Sequence, residues 1–152
     1  MLKVEDAILD GEIVCLDQAG RSMFNELLFR RGYPVFYVFD LLWLNGEDYR
    51  LKPLHVRKAA LRRLIQHARC EELLFAQHVE ESGVSLFQIA CKQDTEGIVA
   101  KRKNGTYGVN ERWFKIKNRH YTQVVGRHEL FDSLRPAKSA TMHNANRRKT
   151  AT

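Results

Sequence analysis

The chain has 152 residues, room for one globular domain of ordinary size, and its 44% hydrophobic and 10% aromatic content supplies a core, which excludes wholesale disorder. Its formal charge of +7, from 25 Lys and Arg against 18 Asp and Glu, favours polyanionic partners through phosphate contacts. No apolar run approaches the roughly 18–20 residues of a membrane-spanning helix. The start, Met1-Leu2-Lys3-Val4-Glu5-Asp6, lacks the basic-then-apolar order of a signal peptide. No membrane partner is therefore expected, and the cytoplasm is the default location.

In chain order, Ala7–Leu16 is apolar but interrupted by Asp10-Gly11-Glu12, and predicts one extended strand or two short ones. Asp17-Gln18-Ala19-Gly20 is a turn. Ser22–Arg30, with Met23, Leu27 and Leu28, predicts a short helix. Val35–Leu44 is rich in Val, Phe, Tyr and Trp, and predicts a buried strand ending at the Asn45-Gly46 turn. Pro53 suits the first turn of a helix. Leu54, Leu61, Leu64, Ile65 and Ala68 follow at helical spacing, with Arg57, Lys58, Arg62 and Arg63 expected on its surface.

Leu73–Val79 predicts a strand, and Ser82 could cap a helix running to about Gln93. Gly97–Lys101, Arg112–Ile116 and Tyr121–Val125 are three further strand candidates. Ser133–Thr152 holds only Leu134 and Met142 as large apolar residues, and is expected to be a disordered basic tail. The mixed order predicts an α+β fold with largely antiparallel sheets and flanking helices. Cys15, Cys70 and Cys91 show neither zinc-ligand spacing nor a disulfide framework, and are expected as buried free thiols.

Four segments carry chemistry: Asp10-Gly11-Glu12-Ile13-Val14, Phe36–Leu42, Glu96-Gly97-Ile98-Val99-Ala100-Lys101, and Trp113-Phe114-Lys115-Ile116-Lys117. Each alone also reads as ordinary structure: a polar turn, a core strand, a solvated strand face. Together they say more. A period of two puts Trp113, Lys115 and Lys117 on one side of a strand and Phe114 and Ile116 on the other. Two parallel ammonium groups suit a triphosphate. Glu12 and Glu96 stand beside Gly11 and Gly97, where a small residue would let a ligand approach. Such carboxylates suit Mg²⁺, which uses one or two of them with water and substrate phosphate. Phe36, Tyr37 and Phe39 offer an aromatic face to a base.

In this order the segments resemble the covalent nucleotidyltransferase superfamily. Within it they are most similar to ATP-dependent DNA ligases, especially bacterial ligases of the non-homologous end-joining type, ligase D. Leu9–Val14 looks like motif III, and Phe36–Leu42 like motif IIIa, continuing into Trp43-Leu44-Asn45-Gly46-Glu47-Asp48. Glu96–Arg102 looks like motif IV, and Trp113–Lys117 like motif V. The resemblance covers about residues 7–126. It implies a partial nucleotidyltransferase (ATP-grasp-like) adenylation domain over 1–126, and in 127–152 a truncated opening of an OB-fold followed by the tail.

The resemblance also implies roles. Glu12 would lie near the AMP ribose and metal, and Glu96 would help hold the divalent ion, Mg²⁺ or Mn²⁺. Phe39 would stack on adenine, with Asp40 bracing its strand, while Lys115 and Lys117 would contact the α-phosphate. Lys101, Arg102 and Arg112 are weaker candidates for phosphate or DNA backbone, with surface solvation equally open.

The family's attacking lysine lies in a Lys-x-Asp-Gly motif, and none occurs here. Lys92-Gln93-Asp94-Thr95 lacks the glycine, and Lys3-Val4-Glu5-Asp6 fails too. No catalytic nucleophile is therefore assigned, and the chain alone is expected neither to self-adenylate nor to be more than marginally stable. Implied partners are ATP or AMP, DNA in repair and recombination, a Ku-like end-binding protein, and a chain supplying the missing segment. An RNA ligase or capping-type relative, a non-catalytic nucleotide- or DNA-binding remnant, and a simple basic DNA-binding protein remain as alternatives.

Overall fold

The computed structural model describes residues 4–122. Its central element is β2 (Pro34–Leu44), the long aromatic and β-branched run, and β1 (Ala7–Cys15) lies antiparallel along its whole length. The Asn45-Gly46 turn, with φ of 48° and 80°, returns β2 into the two-residue β3 (Glu47–Asp48). Two consecutive positive φ values are what a tight hairpin demands, and Asn-Gly adopts them at least cost. Asp6 clasps this turn: its carboxylate accepts from the Trp43 indole N–H at 2.8 Å and from Gly46 N–H at 3.1 Å.

The strand predicted over Leu73–Val79 shortens to β4 (Leu73–Phe75), parallel to β2 at Phe36–Val38. It is the one parallel pairing among the described strands; the others are antiparallel.

Helices flank the sheet. The short predicted helix is α1 (Phe24–Leu28); α2 (Leu54–Gln66) starts after Pro53, and α3 (Gly83–Lys92) follows Ser82, whose side chain makes no capping hydrogen bond. Val38 and Leu41 of β2 pack with Ala60 and Leu61 of α2 to form the buried centre, with Leu9, Phe36, Leu44, Leu64, Leu73 and Phe75 around it.

Here the structure corrects the surface assignment of two basic residues. Arg57 is 1% exposed and Lys58 8% exposed, because Arg57 meets Asp40, itself fully buried on β2, and Lys58 reaches the Phe39 and Ala76 carbonyls. A buried carboxylate requires a buried cation. Of the cysteines only Cys15 is buried; Cys70 and Cys91 are partly exposed, and all three are free.

A separate two-stranded sheet joins β5 (Gly97–Ala100) to β6 (Phe114–Lys117), antiparallel, with Gly97 opposite Lys117 and Val99 opposite Lys115. Phe114, Val99 and Ile116 keep exposures of 51%, 49% and 37%, so this sheet has little apolar cover among the described residues. The expected strand at Tyr121–Val125 is absent from its two described residues, Tyr121 and Thr122. Its remainder, the OB-fold opening and the basic tail lie outside the described residues.

Both glycines of the motif segments are required by strand packing rather than by space for a ligand. A methyl group on Gly11 would meet the Phe36 ring and the Tyr37 carbonyl at 2.7 Å. On Gly97, at φ 147°, it would come within 2.1 Å of the Ile116 carbonyl oxygen. Gly97→Ala is therefore expected to cost at least about 1–3 kcal/mol locally. Amide hydrogen exchange should accelerate at Val99 and Lys117 and stay unchanged in α2; equal protection in both sheets would refute this.

Candidate functional site

The register of β1 on β2 aims the principal aromatic side chain. Asp10 pairs with Asp40 and the next residue, Gly11, pairs with Val38, so Phe39 is an extra, unpaired residue in β2. A bulge of this kind bends a strand and re-aims the side chain it carries. The Lys58 ammonium braces it from behind, donating to the Ala76 carbonyl at 2.9 Å and to the Phe39 carbonyl at 3.4 Å. Burial pulls the Lys58 pKa below its ordinary value, against the opposing pull of Asp40.

Asp40 braces its strand as expected, and does so through Arg57. The guanidinium donates to both Asp40 oxygens, at 2.7 and 3.0 Å, and to the carbonyls of Lys52 at 2.6 Å and Gly105 at 3.0 Å. Gly105 belongs to the connection between β5 and β6, so this side chain is one of several ties on that connection, beside Leu54 N–H to Gly105 at 2.9 Å and Tyr107 N–H to the Arg50 carbonyl at 2.7 Å. Tyr107 of the same connection donates its hydroxyl to Asp10 at 2.8 Å; burial, with that hydrogen bond, pushes its pKa up to about 12.

The connection thus delivers Trp113 to Phe39, their ring centroids 5.8 Å apart in an edge-to-face contact. Lys101 lies over both rings, its Nζ 4.1 Å from the Phe39 centroid and 3.5 Å from that of Trp113. The β5–β6 pairing brings them near: Ala100 opposes Phe114 as the last pair, and Lys101 and Trp113 are the residues immediately beyond it. Within β6 the two-residue pleat puts Lys115 and Lys117 on a common side.

The other expected site residues are distributed around this centre. Glu12 is exposed on β1 opposite Tyr37, and Glu96 immediately precedes β5, its carbonyl accepting from Asn118 N–H at 2.8 Å. A cleft of about 560 Å³ is lined by Val14, Arg21, Tyr37, Gln93 and Thr95, among others. Glu12 and Glu96 are close in sequence to its lining residues Val14 and Thr95. No group of three metal-ligating side chains occurs among the described residues. Arg102 turns to Glu111 at 3.9 Å, and Arg112 is exposed.

Sequence reasoning missed Arg57, Lys58 and Tyr107. The signal for the first two was present: Leu54, Arg57, Lys58 and Leu61 form one helical stripe of spacing three, four and seven.

The family model described as "ATP dependent DNA ligase domain" matches residues 1–117. The chain belongs to that family. The ligase domain is 34% identical over 146 residues to the DNA ligase of Sulfophobococcus zilligii, an alignment covering 82% of this chain and 24% of that protein. It is 36% identical over 123 residues to the multifunctional non-homologous end joining protein LigD of Pseudomonas aeruginosa, covering 76% of this chain and 15% of that one.

Among solved structures, mycobacterial DNA ligase D complexed with ATP and MES superimposes with a TM-score of 0.64 at 29% identity, over 74% of this chain and 38% of that chain. The ligase domain of M. tuberculosis LigD gives 0.62 at 29% identity, over 73% and 38%. The ligase domain therefore has the nucleotidyltransferase fold, and spans about a quarter or less of the length of these curated relatives.

Proposed function

We propose that residues 4–122 form the nucleotide- and metal-facing part of a DNA ligase adenylation site, serving phosphodiester bond formation in DNA repair. The observation that carries this reading is the convergence of Phe39, Lys101 and Trp113 from three separate segments, beside β6, which presents Lys115 and Lys117 on one side. A purine stacked on Phe39 would extend its phosphates along that side, where two ammonium groups offset their charge. Glu12 and Glu96 supply oxygen donors of the kind Mg²⁺ or Mn²⁺ takes, and a bound ion there would neutralise phosphate charge. Arg102 and Arg112, both exposed, are the candidates for DNA backbone contact.

These 152 residues contain no Lys-x-Asp-Gly segment. The lysine that takes AMP is then supplied from outside them, by the same polypeptide or by another chain. In phosphoryl transfer the nucleophile and its placement carry most of the rate. Incubation of the 152-residue chain with labelled ATP and Mg²⁺ is expected to give reversible binding and no denaturation-resistant adduct. A chain extended through a Lys-x-Asp-Gly segment is expected to acquire lysine-linked AMP. Covalent labelling of the short chain would refute the assignment of the nucleophile, and failure of both chains to bind ATP would refute the site. By family, DNA is the second substrate; a Ku-like end-binding partner follows only if the ligase-D likeness extends to the whole protein.

A further inference from the structure

Lys101 is half-buried, and among the described residues it makes neither an ion pair nor a hydrogen bond. Its positive charge is met instead by two ring faces, at 4.1 Å on Phe39 and 3.5 Å on Trp113. Both distances lie well inside the roughly 6 Å within which a cation and an aromatic face attract. The surroundings are built to hold it. Trp113 is fixed by edge contacts to Phe39 and to Tyr107, at 5.8 and 5.9 Å. Tyr107 is anchored on Asp10, and the backbone of Phe39 on Lys58.

We propose that Lys101 is a positioning residue for the nucleotide base: its ammonium locks the Phe39 and Trp113 rings together and holds Phe39 ready to stack. This rests on the nucleotide-site reading above and departs from a phosphate or DNA contact. A cation over one face of a ring leaves the opposite face for a base. Burial pulls Lys101 down to about 8, opposed by the carboxylates of Asp40 on β2 and Asp10 on β1, and assisted by Lys58 and Arg57 on α2. The clamp is accordingly charged at neutral pH and is lost as pH rises through about 8.

The test uses the full chain carrying Trp43→Phe, which leaves Trp113 as its one indole. Without nucleotide, Trp113 emission is expected to titrate with a midpoint near 8, and Lys101→Met to abolish the transition. Emission that stays constant from neutral to alkaline pH would overturn the clamp. Lys101→Met should weaken adenosine and ATP binding by the same factor, about three- to thirtyfold. Lys101→Arg should restore most of the loss, since a guanidinium also stacks on rings. Adenosine affinity should fall above the same pH in the parent and stay flat in Lys101→Met. Weaker binding of ATP with adenosine unchanged would make Lys101 a phosphate contact and overturn the proposal. A parent chain that binds neither ligand would instead remove the nucleotide-site reading, and the proposal with it, whatever the fluorescence shows.

Discussion

Arg57→Ala is expected to destabilise the ligase domain by about 3–5 kcal/mol, because it leaves the Asp40 carboxylate buried without its cation. Asp40 is fully buried and Arg57 is 1% exposed, so water cannot replace the lost partner. The substitution also frees the half-buried carbonyl of Lys52, whereas that of Gly105 keeps its hydrogen bond from Leu54 N–H at 2.9 Å. For a domain whose total stability is about 5–15 kcal/mol, that is a large fraction. Urea unfolding followed by far-UV circular dichroism measures it.

The paired replacement Asp40→Leu with Arg57→Met should recover most of the stability, since an apolar pair of similar volume carries no desolvation cost. It should also keep most nucleotide binding, because the β5–β6 connection loses only the Arg57–Gly105 hydrogen bond and keeps those from Leu54 and His55 N–H to Gly105 and Lys103, and from Tyr107 to Arg50 and Asp10. An unfolding midpoint for Arg57→Ala equal to wild type would show that the buried pair contributes nothing.

Lys115→Ala combined with Lys117→Ala is expected to do the opposite: little to stability, much to ligand. Both residues are exposed on β6, and substitutions at exposed positions usually change stability by under about 0.5 kcal/mol. A hydrogen bond to a charged group contributes about 1.5–3 kcal/mol, so losing two should weaken ATP binding on the order of 100-fold or more. Adenosine, which has no phosphate, should bind as before. Calorimetric titration with both ligands reads the difference directly. Equal losses for adenosine and ATP would mean that β6 supports the fold of the site rather than the phosphates. Taken with the Lys101 variants, the pair separates base from phosphate recognition: Lys101 should affect both ligands alike, and the β6 lysines only the charged one.

The elements were largely legible in the residues. The Asn-Gly turn, the aromatic strand before it, and the α2 stripe after Pro53 each follow from local preferences that need no tertiary partner. So do the alternation of Lys115 and Lys117 and the order of the four motif segments. Boundaries shifted where pairing rather than propensity decides. Leu73–Val79 keeps its strand only across Leu73–Phe75, where β2 offers Phe36–Val38 as a partner.

What local sequence could not express is the contact between distant segments. Arg57 and Lys58 read as surface cations because helical spacing gives a side chain's direction but not what waits there. A carboxylate buried on β2 meets Arg57, and the carbonyls of Phe39 and Ala76 meet Lys58, which reverses the usual exposure of both. Gly11 and Gly97 read as openings for a ligand, yet a neighbouring strand occupies the space at each.

The sequence by itself determined the family, the α+β class and the candidate chemistry, because motif order and residue type survive without coordinates. Only the tertiary structure decided which of those side chains meet. The unpaired Phe39 arises from the register between two strands, and the Lys101–Trp113 contact from a hairpin closed across a loop. Both are products of long-range pairing, and a linear pattern with a period of two or 3.6 carries no information about the partner on the other side.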